Sequence, residues 1–285
     1  MNSPVKLIEC PRDAMQGWKN FIPTEKKIEY INSLLKVGFD TIDFGSFVSA
    51  KAIPQMADTA EVVRSQESGV RSTKLLSIVA NQRGAEEASV FDQITYLGFP
   101  FSVSETFQQR NTNSSIDESL KRVEEIQNLC INKNKKLVIY ISMAFGNPYN
   151  DLYDEDIVFN WVEKLVEMDI DIISLADTVG VATPEQVYEM TSYLVESLPA
   201  TEIGVHLHST SENWNQKLEA AVKAGCKRFD GALKGIGGCP MANDDLVGNM
   251  NTEWMISYFE KNNIATGLNK EALAESLRIA GEIFI

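Results

Sequence analysis

The 285-residue sequence predicts an α/β fold, a (β/α)8 TIM barrel with additional C-terminal helices. Three observations predict it. Short apolar runs alternate with helical patterns almost from end to end, giving eight strand–helix units with short connections. No Gly-x-Gly-x-x-Gly follows the first strand, which weighs against the main alternative, a doubly wound open sheet. The length suits one barrel domain, residues 1–285.

Taken in order, residues 5–10 read as strand 1. Residues 24–37 read as a helix: Thr24 can cap it, Ile28, Ile31, Leu34 and Leu35 recur at helical spacing, and Gly38 ends it. Strand 2 is 41–47, and 53–63 is expected to be helical. Strand 3 is 74–80, followed by a helix through 84–89, and strand 4 is 93–99. Residues 115–132 are strongly amphipathic through Leu120, Val123, Ile126 and Leu129. Strand 5 is 136–144, a helix covers 156–168, and strand 6 is 171–175. The helix over 183–198 opens with Thr183-Pro184-Glu185-Gln186, a capping threonine, a proline at the first position and Gln three residues after the cap. Strand 7 is 202–208, a helix over 214–224 is closed by Gly225, and strand 8 is 228–233. A glycine-rich loop runs over 235–249, and two terminal helices cover 251–262 and 270–283.

Composition narrows the function. A net charge of −14 argues against nucleic acid as a partner, because phosphate binding needs a basic surface. Any anionic ligand must then be met by a local cluster of Lys and Arg. The four cysteines, Cys10, Cys130, Cys226 and Cys239, lack Cys-x-x-Cys spacing, so neither a disulfide framework nor a zinc knuckle is expected. A reduced, cytoplasmic setting is the simplest inference. The apolar strand pattern begins by Val5, so no signal peptide is expected. No apolar run approaches the ~20 residues that span a bilayer, so no membrane partner is expected.

In such a barrel the chemistry lies at the C-terminal ends of the strands. The chain's only two histidines, His206 and His208, sit two residues apart on strand 7. Residues i and i+2 of a strand share a face, so both imidazoles project into one space while Val205 and Leu207 pack on the other. That is half a metal site, or two polar side chains with hydrogen-bond partners. Arg12-Asp13 follows strand 1, as a surface ion pair or as a cation for an oxyanion beside a hard oxygen ligand. Asp43 is an acid inside an apolar run, a costly placement without a partner. Asp177 ends strand 6, where it serves the site or caps the next turn. Cys239 follows Gly237-Gly238 on the last loop and reads as more accessible than Cys10, Cys130 and Cys226, which fit inert core thiols. Asn249 offers a carbonyl oxygen suited to a divalent ion.

Four blocks carry a family resemblance: Pro11-Arg12-Asp13-Ala14-Met15-Gln16; residues 46–58, Ser-Phe-Val-Ser-Ala-Lys-Ala-Ile-Pro-Gln-Met-Ala-Asp; Val205-His206-Leu207-His208; and Gly235-Ile236-Gly237-Gly238-Cys239-Pro240. The chain resembles the 3-hydroxy-3-methylglutaryl-CoA lyases, within the metal-dependent lyase and synthase barrels. The second and fourth blocks separate it from the isopropylmalate, homocitrate and citramalate synthases. The resemblance implies that Asp13, His206, His208 and Asn249 hold a metal, Mg²⁺ or Mn²⁺. It implies that Arg12 stabilises an enolate, that Cys239 is the catalytic thiol of a mobile loop, and that Asp177 takes part in proton transfer. Asp43 stands where the family usually has Glu, and Ala14 where it usually has Gly. The implied reaction is cleavage of an acyl-CoA, 3-hydroxy-3-methylglutaryl-CoA, to acetyl-CoA and acetoacetate, in leucine degradation, by a homo-oligomer expected to be a dimer. Gln16 and Lys19 would meet the CoA ester, although a lone Lys also suits solvated surface. A related barrel acting on another acyl-CoA or 2-oxo acid, by cleavage or condensation, and a non-catalytic barrel are the other readings.

Overall fold

A computed structural model describes residues 5–66, 73–238 and 247–285. Eight parallel strands close into a barrel in the order β1 to β8, with β8 pairing back onto β1. The chain runs β1 (Lys6–Glu9), α1 (Pro11–Gln16), α2 (Thr24–Leu35), β2 (Thr41–Ser46), α3 (Thr59–Arg64), β3 (Lys74–Ile78), α4 (Gln82–Ser89) and β4 (Ile94–Ser102). It continues α5 (Glu105–Thr112), α6 (Ile116–Asn132), β5 (Lys136–Ser142), α7 (Glu155–Val166), β6 (Ile172–Asp177), α8 (Pro184–Ser197) and β7 (Glu202–Leu207). Then come α9 (Trp214–Lys223), β8 (Arg228–Gly231), α10 (Thr252–Lys261) and α11 (Lys270–Ile283). Among the described residues no helix is long and apolar enough to cross a membrane.

The period-2 alternation of each strand divides the core into two shells. Outward residues such as Phe44, Leu97, Ile139, Leu175, Val205 and Phe229 pack against the helices in the large shell. Inward residues Leu76, Tyr96, Val138, Tyr140 and Ile172 form a small interior cluster. The strand starts make an ionic floor, where Glu202 pairs with Lys6 and with Arg228 (3.2 Å) and Lys74 pairs with Asp40 (2.8 Å). Helix α11 closes the helix ring beside α2: Ser276 Oγ donates to Ser33 Oγ (2.9 Å), and Phe284 meets Trp18 and Tyr30 edge-on.

Local signals explain most boundaries. Ser115 with Glu118, and Thr183 with Gln186, both form capping boxes at the starts of α6 and α8. Four expectations change. Thr24 does not cap α2; it is the first helical residue after Pro23, and its hydroxyl donates to Asp58 instead. The helix expected over 53–63 is a 3-10 turn, Pro54–Met56, followed by α3, because Pro54 favours a first-turn position. Helix α5 was unexpected, since among its residues only Phe107 and Gln108 are buried and no apolar period marks it; its signal is the cap at Ser104. Strand β4 runs to Ser102, three residues beyond the expected end, all paired with β5.

Candidate active site

The barrel geometry carries three ligand-bearing side chains to one point. Asp13, His206 and His208 each offer an atom within 4.8 Å of the others. His206 projects into the barrel from β7, level with Asp230 on β8, while Val205 and Leu207 lie in the outer shell. His208 stands one residue beyond the strand, where it forms an antiparallel bridge with Asn249. The rings lie 5.4 Å apart at 61°. Asp13 arrives on α1, a helical turn rather than an open loop, started by Pro11. Ala14 sits within that turn and is buried, in a helical conformation that needs no glycine.

Hydrogen bonds fix each member. Asp13 Oδ1 accepts from Arg12 Nη1 (2.8 Å) and Gln16 Nε2 (2.7 Å), and its Oδ2 accepts from Asn249 Nδ2 (2.8 Å). Gln16 Oε1 also accepts from Arg12 Nη1 (2.9 Å), so one helical turn braces the pair from i+3 and i+4. Asp43, on β2, accepts from Arg12 Nε (3.0 Å) and Nη2 (2.6 Å), both at Oδ2. Asn249 Nδ2 donates a second bond to the Ile236 carbonyl (2.9 Å). Gly237, at φ +106°, permits this: a Cβ there would stand 2.5 Å from Asn249 Nδ2 and 2.9 Å from the Asp13 carbonyl.

The electrostatics separate the groups. Burial disfavours the Asp13 carboxylate, but the charges of Arg12, His206 and His208 and the Asn249 bond outweigh it and hold its pKa at about 2. Burial, followed by the neighbouring His206, lowers His208 to about 4, so it is a neutral ligand-type imidazole at pH 7. Burial also opposes charge on His206, but the hydrogen bond and charge of Asp230 (Nδ1 to Oδ2, 3.3 Å) and the charge of Asp13 leave it raised. Asp43 is pushed up to about 6 by burial, against the lowering effect of Arg12.

The donor set suits a hard divalent ion. Three oxygens at this mouth, Asn249 Oδ1, Asp43 Oδ1 and Asp230 Oδ1, are buried with no hydrogen-bond partner among the described residues. Buried acceptors left open are rare and ask for a cation or a substrate donor. Two imidazoles, a carboxylate and the open Asn249 amide oxygen make a nitrogen–oxygen set of the kind Mg²⁺ or Mn²⁺ accepts.

The other expected residues do not join this hydrogen-bonded group. Asp177 is buried at the end of β6, bonded at Oδ2 by Lys217 Nζ (2.6 Å) and at Oδ1 by the Ala182 amide (3.1 Å). Lys19 is exposed in the connection after α1. Cys239 lies outside the described residues. Sequence reasoning missed Asp230 and Lys217. Asp230 carried the same signal as Asp43, an acid inside a short strand; Lys217 shows nothing distinctive within an amphipathic helix.

An HMGL-like family model matches residues 5–279. The chain is 34% identical over 280 residues to the mitochondrial hydroxymethylglutaryl-CoA lyase of Bos taurus, covering 95% of this chain and 83% of that one. It is 34% identical over 273 residues to a hydroxymethylglutaryl-CoA lyase of Bacillus subtilis, covering 94% and 89%. Among solved structures, an HMG-CoA lyase from Acinetobacter baumannii, in complex with coenzyme A and 3-methylmalate, superposes with a TM-score of 0.92 at 31% identity over 100% of this chain and 93% of that one.

Proposed function

The chain belongs to the HMGL-like family, and from that premise we propose that it cleaves 3-hydroxy-3-methylglutaryl-CoA to acetyl-CoA and acetoacetate as a metal-dependent carbon–carbon lyase. The observation that carries the reading is the locked Arg12–Asp13–Asp43 group beside two imidazoles, with acceptor oxygens left open.

Asp13, His206, His208 and Asn249 would hold a divalent ion, Mg²⁺ or Mn²⁺, whose Lewis acidity when bound would make the substrate's tertiary hydroxyl more acidic. Asp43 is the better acceptor for that proton. Its Oδ1 is open and its pKa is about 6, whereas both oxygens of Asp177 are engaged. Loss of the proton drives cleavage of the C–C bond, and the electron pair passes to the thioester as an enolate. Arg12 faces that oxygen. Of its five N–H groups, four go to Asp43 (two), Asp13 and Gln16, so that among the described residues one on Nη2 is left for the developing charge. Within this reading the Cys239 thiol returns a proton to the enolate carbon, giving acetyl-CoA.

The anionic tail of an acyl-CoA needs local cations on a chain of net charge −14. A cavity of about 700 Å³ opens from Ser46, at the end of β2, and is lined by Phe47, Lys51, Arg64 and Arg83. These three cations support an acyl-CoA there, with Gln16 and Lys19 on the side of α1. The test is product analysis: purified protein, stripped with chelator and given Mg²⁺ or Mn²⁺, should convert the substrate to equimolar acetyl-CoA and acetoacetate. Unchanged substrate under both ions overturns the proposal.

A further inference from the structure

We propose that the barrel carries a second ion site, formed by Cys10 Sγ, His206 and Asp230, which takes a softer divalent ion of the zinc type and competes with the hard-ion site through the shared His206. The three side chains each present a ligand atom within 4.8 Å of the others. Cys10 and Asp230 are fully buried, and the His206 side chain is 12% exposed toward the mouth.

Among the described residues, three observations separate this set from an ordinary packed thiol. Asp230 uses Oδ2 on His206 Nδ1 (3.3 Å) and leaves Oδ1 buried without a partner. Orientation of the imidazole therefore accounts for one of its oxygens and not the other. The Cys10 thiol makes only a long contact, 3.9 Å to the Ile8 carbonyl, so its sulfur is not committed. The Tyr140 ring stands edge-on to His206 at 5.9 Å, and its buried hydroxyl is also unpartnered. Arg228, two residues before Asp230 on β8, acts on Asp230 and Tyr140 through its charge but makes its hydrogen bond to Glu202, so these acceptors stay buried without a donor, a cost that a bound ion would relieve.

The ligand chemistry selects the ion. Sulfur, imidazole nitrogen and one carboxylate oxygen are the donors that four-coordinate Zn²⁺ accepts. Asp13, His208 and Asn249 offer no sulfur and favour harder ions. Because His206 belongs to both sets, an ion on Cys10 and Asp230 withdraws it from the hard-ion site, and each ion weakens the other equally. The competition rests on the hard-ion reading above; the Cys10 site itself does not.

Two measurements test the site. Cobalt(II) added to chelator-stripped wild-type protein should give a thiolate-to-cobalt charge-transfer band in the near ultraviolet, and Cys10→Ala should lose it. Zn²⁺ affinity, read by competition with a chromophoric chelator, should fall roughly 10- to 100-fold in Cys10→Ala, while Mn²⁺ binding followed by electron paramagnetic resonance stays within about threefold. Cys10→Ser serves if the alanine variant does not fold, with the same loss of the band. A missing band in the wild type, a band that survives in Cys10→Ala and so belongs to another thiol, or equal Zn²⁺ affinity in both proteins overturns the proposal. If Mn²⁺ binds neither protein, the hard-ion reading fails while the cobalt band still decides this one.

Discussion

Two buried ionic groups sit side by side at the mouth of the barrel, and they are built differently. In the first, Lys217 has three N–H groups and three acceptors: Asp177 Oδ2, the Gly180 carbonyl and the His208 carbonyl. Asp177 completes the set by accepting the Ala182 amide. Nothing is left over, and the group ties α9 to the ends of β6 and β7. In the second, Arg12, Asp13, Asp43 and Asn249 hold one another as tightly, yet among the described residues one N–H of Arg12 and one oxygen each of Asp43 and Asn249 remain open. The saturated group fits a strut, and the surplus capacity of the other fits the proposed binding of an ion and a substrate.

Substitutions can break this contrast. The largest effect is expected for His208→Ala, which removes a proposed ligand: kcat should fall more than about a thousandfold, as loss of a Lewis acid does, while the thermal midpoint shifts by only a few degrees. A variant with near wild-type turnover would sink the ligand role. Lys217→Met attacks the strut. Denaturant titration should show stability reduced by about 3–5 kcal/mol, the cost of stranding a buried charge. If Asp177→Asn instead leaves stability intact and abolishes turnover, Asp177 serves chemistry and the two groups are not different in kind.

Arg12→Lys sharpens the second half of the comparison. Lysine keeps the charge but cannot hold Asp13 and Asp43 and still present a donor. Steady-state kinetics should give a kcat lower by about 10²- to 10³-fold with KM little changed, since the interaction belongs to the transition state. Equal losses in ground-state binding would argue against the enolate role.

The smallest effect concerns Glu9, whose oxygens accept from the Leu233 amide (2.8 Å) and the Thr252 hydroxyl (2.6 Å). Burial lifts its pKa from 4.5 to about 8, despite those two bonds. The folded chain therefore holds more protons than the unfolded one between those values, and Glu9 makes stability decline as pH rises through that window. Glu9→Gln should flatten the decline in melts taken from pH 5 to 9; an unchanged slope would mean another group is responsible.

The barrel was legible because strand and helix periods differ and each strand carries its own apolar run. The convergence of the histidines with Asp13 was legible for a related reason: β7 spacing puts both rings on one side, and barrel topology puts β1 nearby. What was not legible depends on register and on side-chain reach. Asp230 becomes a partner of His206 only because β7 and β8 align those two residues. Lys217 matters because a long side chain on α9 crosses to three acceptors. Asn249 was legible as a candidate oxygen donor at the close of the glycine-rich loop, but its grouping with Asp13 and the histidines came only with the family resemblance, since one amide carries no pattern. Helix α5 escaped because it buries too little surface to show a period.

The bond between Asp13 and Asn249 spans 236 positions of sequence. Loop-closure entropy makes a contact of that span among the last to become favourable in folding. The site does not exist until β8 has found β1 and the segment after it has crossed to His208. An ion that binds there binds only the closed ring, and by mass action it shifts the folding equilibrium toward that ring. The same few atoms proposed to run the reaction would then act as a clasp, giving the two ends of the chain a common reason to stay together.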